Sequence, residues 1–192
     1  MEGEREYPRL TITRLDAARR QIETATDLFF AEGDPVSIHT LAAAAHEIVR
    51  ALCQKAGKPP LLKDAMLETI KPEYRNYIGK LFNQPRNFFK HAGTMQIESI
   101  EYVLGADDWL LYDAGAGYQL LTDDLRPKML AFRAWFLANH HELLATDEMR
   151  KPFEQAAKMI GHLAKPEFYK QALEVFSNPD NIARALAANV AR

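Results

Sequence analysis

The stretch "SIHTLAAAAHEIVRAL", residues 37–52, decides the fold class. Ile38, Leu41, Ala45, Val49 and Leu52 recur every three or four positions, which puts them on one face of an α-helix. The four alanines at 42–45 are small enough to let a neighbouring helix, or a second copy of the chain, approach closely. Asp34 is a good N-cap and Pro35 a good first helical residue. "GKPP" at 57–60 breaks the pattern, so the predicted helix runs over about 35–56.

Working outward, the same period continues. Leu15, Ala18, Ile22, Ala25 and Phe29 predict a helix over about 9–31. Short helices are predicted at 61–70 and 72–82, the second opened by Pro72. Pro85 is expected to restart the chain as a further helix, and Gly93 to stop it. "MQIESIEYVL", residues 95–104, alternates in part and admits an extended reading. Helices are predicted again at about 106–121, 124–140, 147–164, 166–177 and 180–191. There is no repeat of 20–50 residues and no low-complexity linker. The expectation is one all-α domain over 1–192, a bundle at about 9–93 with additional helices from 94–192 packed on it.

Composition limits the function classes. Apolar residues make up 47% of the 192, enough for a sizeable core, and the net charge of −2 gives no global attraction to nucleic acid or acidic membranes. Cys53 is the one cysteine, so no internal disulfide forms, which suits the reducing cytoplasm expected for this chain. The start, "MEGEREYPRL", lacks the apolar centre of a secretory signal. No run approaches the roughly 20 apolar residues of a membrane helix, so no membrane partner is expected.

One segment departs from this average. Between Glu73 and Glu98 there is no acidic residue, while Arg75, Lys80, Arg86, Lys90 and His91 all fall there. Tyr74, Tyr77, Phe82, Phe88 and Phe89 are interleaved with them. Cations beside aromatic rings suit a phosphate-bearing ligand with bases to stack, such as RNA or a nucleotide; a solvated helix face over core aromatics is the alternative. At about 100° per residue, Phe88 and Phe89 define the expected buried direction. Arg86, Asn87, Lys90 and His91 then fill a polar arc about 140° wide, with Arg86 and His91 at its rims. No carboxylate in the segment neutralises them.

Arg86-Asn87-Phe88-Phe89-Lys90-His91 reads R-N-x-x-x-H. It resembles the Rx4-6H signature of the HEPN superfamily, all-α bundles in which a polar residue commonly follows the arginine. The long first helix and the alanine-rich second helix resemble the same family over residues 9–93, and the C-terminal half carries no such signature. The resemblance implies a metal-independent endoribonuclease acting as a homodimer, with no cofactor. Arg86 would bind and polarise the scissile phosphate, His91 would move protons, and Asn87 would orient the histidine or the phosphate. Lys90, Lys80 and Arg75 would extend the substrate contact. Because Arg86 and His91 stand at opposite rims, side-chain reach, a helix irregularity or a second protomer must bring them to one phosphate. Some members serve only as binding modules, and a toxin role would add an antitoxin or other partner protein of unidentified kind.

Two further readings stay open: a non-catalytic helical interaction module, and a small-ligand-binding bundle using His39 and His46. These histidines lie seven apart on the second helix and either line the cleft of His91 or take buried positions in the bundle, the reading we favour. No histidine has a glutamate three residues before it, which disfavours a di-iron bundle. His140, His141 and His162 lack the spacing of a zinc site, and His140-His141 are expected at a helix end. "GAG" at 115–117 lacks the third glycine of a dinucleotide loop and is expected to serve close helix packing. Trp109, Trp135 and Phe136 are expected in the core, and Cys53 has no neighbouring base.

Overall fold

A helix starts most cheaply where a side chain satisfies its first free N–H groups. In the computed structural model, which describes residues 7–69, 72–90, 97–144 and 146–182, the first two helices start this way. Helix α1 (Arg14–Phe30) opens at Thr13, whose hydroxyl oxygen accepts from the Asp16 N–H at 3.0 Å. Helix α2 (Pro35–Lys55) opens at Asp34, whose carboxylate accepts from the Ser37 N–H at 2.8 Å. It ends at Ala56, where Gly57 turns to φ 65° and lets the Lys58 N–H return to the Cys53 carbonyl at 3.0 Å.

There follow α3 (Leu62–Thr69), α4 (Pro72–Lys90), α5 (Ala106–Thr122) and α6 (Pro127–Asn139). A 3-10 turn (His141–Leu143), α7 (Asp147–Ile160) and α8 (Lys165–Phe176) complete the order. The protein is all-α, with no strand among the described residues. The stretch 97–103 forms neither helix nor strand. The predicted helix at 180–191 lies mostly outside the described residues, as does Gly93.

The core is built on α1, α2 and α5. Ala18, Ile22, Ala25, Ala42, Ala45, Val49, Leu110, Leu111 and Ala114 are all buried there. The alanines of α2 and Gly117 of α5 set how near these helices come. A Cβ on Gly117 would lie 2.5 Å from Val49 Cγ1 and 2.9 Å from Leu61 Cδ2, so only glycine fits. Gly115 is under no such restriction, its nearest neighbour being Met129 Cβ at 3.9 Å. The close-packing expectation for "GAG" therefore holds at Gly117.

Helices α6 and α8 close the other side with aromatic rings. Phe29 meets Phe132 and Trp135 edge-on, with centroids 5.0 and 4.7 Å apart. Tyr169 of α8 stacks on Phe30 at 4.4 Å, and the Lys165 ammonium stands 3.7 Å from the Phe29 centroid. Phe136 is buried, with Trp109 and Trp135 packed against that core, as expected.

Pro85 departs from expectation. It does not restart a helix; it lies inside α4, which runs unbroken from Pro72 to Lys90. Pro85 and Phe82 are both buried, while Phe88 and Phe89 are only half-buried. The buried positions of α4 are thus Phe82 and Pro85, and Phe89, whose ring meets His39 and Tyr102, lies on the same inward side. Burial of the proline ring offsets the backbone hydrogen bond it cannot donate.

Candidate functional site

Two buried His–Asp pairs join α2 to α5. His39 Nδ1–H donates to Asp107 Oδ1 at 2.6 Å, and His46 Nε2–H donates to Asp113 Oδ2 at 2.9 Å. The histidines are two turns apart on α2 and the aspartates nearly two on α5, so the helices run in the same direction. Both imidazoles are essentially inaccessible, at 0% and 1% exposure. They therefore take the buried positions and do not line an open cleft.

Asp113 does more than hold His46. Its carboxylate also accepts from the backbone N–H of Leu62 at 2.8 Å and of Lys63 at 3.0 Å. These are the first two residues of α3, so a side chain of α5 caps α3. Asp107 similarly accepts from the Tyr102 hydroxyl, and Tyr102 and Phe89 both set ring edges against His39. Burial and the bond to Asp107 push the Tyr102 phenol well above its ordinary range. The far nitrogen of His39, Nε2, is buried without a partner among the described residues.

Above this layer α2, α3 and α4 present a polar face. Arg86 Nη1 donates to Glu47 Oε1, and Nε and Nη2 donate to Asn87 Oδ1 at 3.3 and 3.2 Å. The linear segment has no acid, but folding supplies one from α2. The expectation of cations without a carboxylate is thus corrected, because Glu47, next to His46, reaches α4 from the outer side of α2. The pair is open to water, with side-chain exposures of 28% for Arg86 and 45% for Glu47. Asn87 orients the guanidinium.

Lys63 adds a cation that the sequence reading missed. Its ammonium donates to Asn83 Oδ1 at 3.1 Å and sits 5.5 Å from the Phe82 centroid. Burial pushes this ammonium below the ordinary lysine range; Glu47 pulls it back up and Arg86 presses it further down. Arg50 is tied to Asp64 at 2.7 Å beside it. The signal for Lys63 was its place after "KPP", at the start of a helix that leads towards α4, but no local pattern links it to Arg86.

The remaining predicted residues divide. Lys90 is exposed, one helical turn beyond Arg86 on α4. Lys80 is exposed too, but six positions before Arg86 and so on another face. His91 lies outside the described residues, and Arg75 lies in α4 outside those whose side chains are described. Cys53 is buried, its thiol pushed up by burial and directed at the Gly117 carbonyl 3.7 Å away. His140 caps α6 and His141 Nδ1–H donates to the Ala138 carbonyl at 2.8 Å, as expected of a helix end. Among the described residues no three His, Cys, Asp or Glu side chains stand together as a metal cluster, and no helix is long and apolar enough to cross a membrane.

Comparison of the chain with protein-family models, with curated proteins and with solved structures gave no match.

Proposed function

We propose that the α2–α4 face binds the phosphodiester backbone of RNA through Arg86, and that the chain is a HEPN-like, metal-independent endoribonuclease acting as a homodimer. One observation carries the reading. Arg86 is preoriented by Asn87, is reached by solvent, and among the described residues is neutralised only by an exposed glutamate that can swing aside. A phosphate oxygen entering there exchanges one charge-assisted hydrogen bond for another. Lys90, one turn on, and Lys63, behind Arg86, extend the positive field along the strand.

The chemistry needs no more than this face and an acid–base group. RNA carries its own nucleophile, the ribose 2′-hydroxyl. Arg86 would stabilise the charge that gathers on the phosphoryl oxygens as that hydroxyl attacks. His91, five residues on, would take the hydroxyl proton or deliver one to the departing 5′-oxygen, work suited to an imidazole near neutral pH. A second protomer would supply the other imidazole.

The test is incubation of purified protein with mixed RNA in EDTA, comparing wild type, Arg86→Ala and His91→Ala. The expected result is cleavage by wild type and its loss in both variants. Equal cleavage by all three would refute the site. A second reading, a non-catalytic interaction module, is favoured by the Glu47–Arg86 pair itself, which ties α4 to α2. Under that reading none of the three cleaves or binds RNA, and Arg86→Ala only lowers stability.

A further inference from the structure

Among the described residues, the other half of the molecule carries an open apolar groove. On α7, Met149, Phe153, Ala156 and Ile160 recur at helical spacing, the pattern of a face made to be covered. Yet no residue of α7 is buried. Helix α7 lies along α6 and leaves between them a cavity of about 500 Å³, within the range of roughly 300–1,000 Å³ typical of small-molecule sites. Leu130, Leu137, Phe153 and Phe176 wall it from three helices, α6, α7 and α8.

Polar residues also line this groove. Arg133 of α6 lines it and is exposed; its guanidinium donates to the neutral amide oxygen of Gln119 at 3.2 Å. Like Arg9, Arg14 and Arg20 it forms no ion pair among the described residues, and of these four it alone lines the groove. Tyr112 lines the same wall, its phenol pushed up by burial. An apolar groove with an arginine on its wall that has no ion pair among the described residues suits an amphiphilic anion.

We propose that the α6–α7 groove binds a free aliphatic carboxylate, its chain between Leu137 and Phe153 and its carboxylate on Arg133. The carboxylate matches the guanidinium fork and makes charged hydrogen bonds there, while the chain covers Met149 and Phe153 of α7. The site is separate from Arg86 and independent of the RNA proposal.

The test is calorimetric titration of the full chain with dodecanoate, below its micelle concentration, and with dodecyltrimethylammonium, which has the same tail and the opposite charge. Dodecanoate is expected to bind at one site per chain, at least about 10-fold more tightly than the ammonium. Arg133→Gln, at an exposed position, is expected to abolish that preference without unfolding, and Arg86→Ala to leave it unchanged. Ala134→Trp, folded as judged by circular dichroism, is expected to block both ligands. Absence of saturable binding, equal binding of the two charges, or an unaffected Arg133→Gln would overturn the proposal. So would dodecanoate binding that appears only after residues 183–192 are removed, or a self-association that Ala134→Trp abolishes; the occupant would then be the chain itself.

Discussion

Replacing Glu47 with glutamine separates the two readings of the α2–α4 face by sign. The Arg86–Glu47 pair is partly exposed on both sides, so its contribution to stability is about 0.2–1 kcal/mol, the range measured for such pairs. A phosphate that binds Arg86 must displace that carboxylate. Removing its charge therefore strengthens RNA binding by the same amount, about 1.4- to 5-fold at 1.4 kcal/mol per tenfold. Loss of a negative charge beside a polyanion adds to this, most at low salt. Glutamine keeps the size and the acceptor oxygen, so α4 stays docked. The assay is fluorescence anisotropy of a labelled RNA with its 2′-hydroxyls methylated, so that no cleavage intervenes, at one fixed ionic strength. The same substitution in an Arg86→Ala background should change nothing, closing a double-mutant cycle. Affinity that is unchanged or lower in folded Glu47→Gln protein refutes the phosphate exchange on which the proposed function rests.

Three further outcomes follow from the packing and the buried charges. Gly117→Ala forces a Cβ onto the stiff Val49 side chain, an overpacking cost of about 1–3 kcal/mol, partly offset by the gain of about 1 kcal/mol for Ala over Gly in a helix. In a Val49→Ala background the nearest contact is gone and Leu61 Cδ2 at 2.9 Å remains, so the same change should cost less than in wild type, which urea denaturation of the four proteins will reveal. Asp113→Ala strands the buried His46 donor and two backbone N–H groups, so unfolding free energy should fall by about 3–5 kcal/mol in the same assay. Asp108 is pushed up to about 6 by burial, against the pull of Lys165 and with the help of Asp107. The folded state thus keeps a proton there that the unfolded chain releases near pH 3.8. Its contribution is full below that value, declines by about 1–3 kcal/mol between pH 4 and 6 at 1.36 kcal/mol per unit, and is flat above. Asp108→Asn should remove that decline from a series of melts against pH.

The helices were legible wherever one face alone meets the core. The three–four spacing of Leu15 to Phe29 and of Ile38 to Leu52 fixes α1 and α2, and Asp34-Pro35 fixes where α2 starts. Pro85 misled because its local cost is overridden by tertiary burial, which no window of α4 displays. The candidate site was half legible. Arg86, Asn87 and Lys90 share a helix, so their neighbourhood follows from arithmetic on ten residues. Glu47 stands 39 positions from Arg86, and His39 and His46 stand 68 and 67 from their aspartates. Such pairs leave no local pattern. A signal was nonetheless present: two histidines seven apart on one apolar helix and two aspartates six apart on another are groups that cannot be buried unless they meet.

Asp113 has a consequence for the order in which this chain assembles. The residue before α3 is Leu61, which offers no side-chain acceptor, and the acceptor that starts the helix arrives from some fifty positions further along. Eight residues are too few to be helical alone. Helix α3 is therefore a dependent element, formed once α2 and α5 have come together and lost as soon as they part. The amides of Leu62 and Lys63 should exchange hydrogen with solvent at the rate at which that pair opens, which makes them native reporters of the event that carries Lys63 to the side of Arg86.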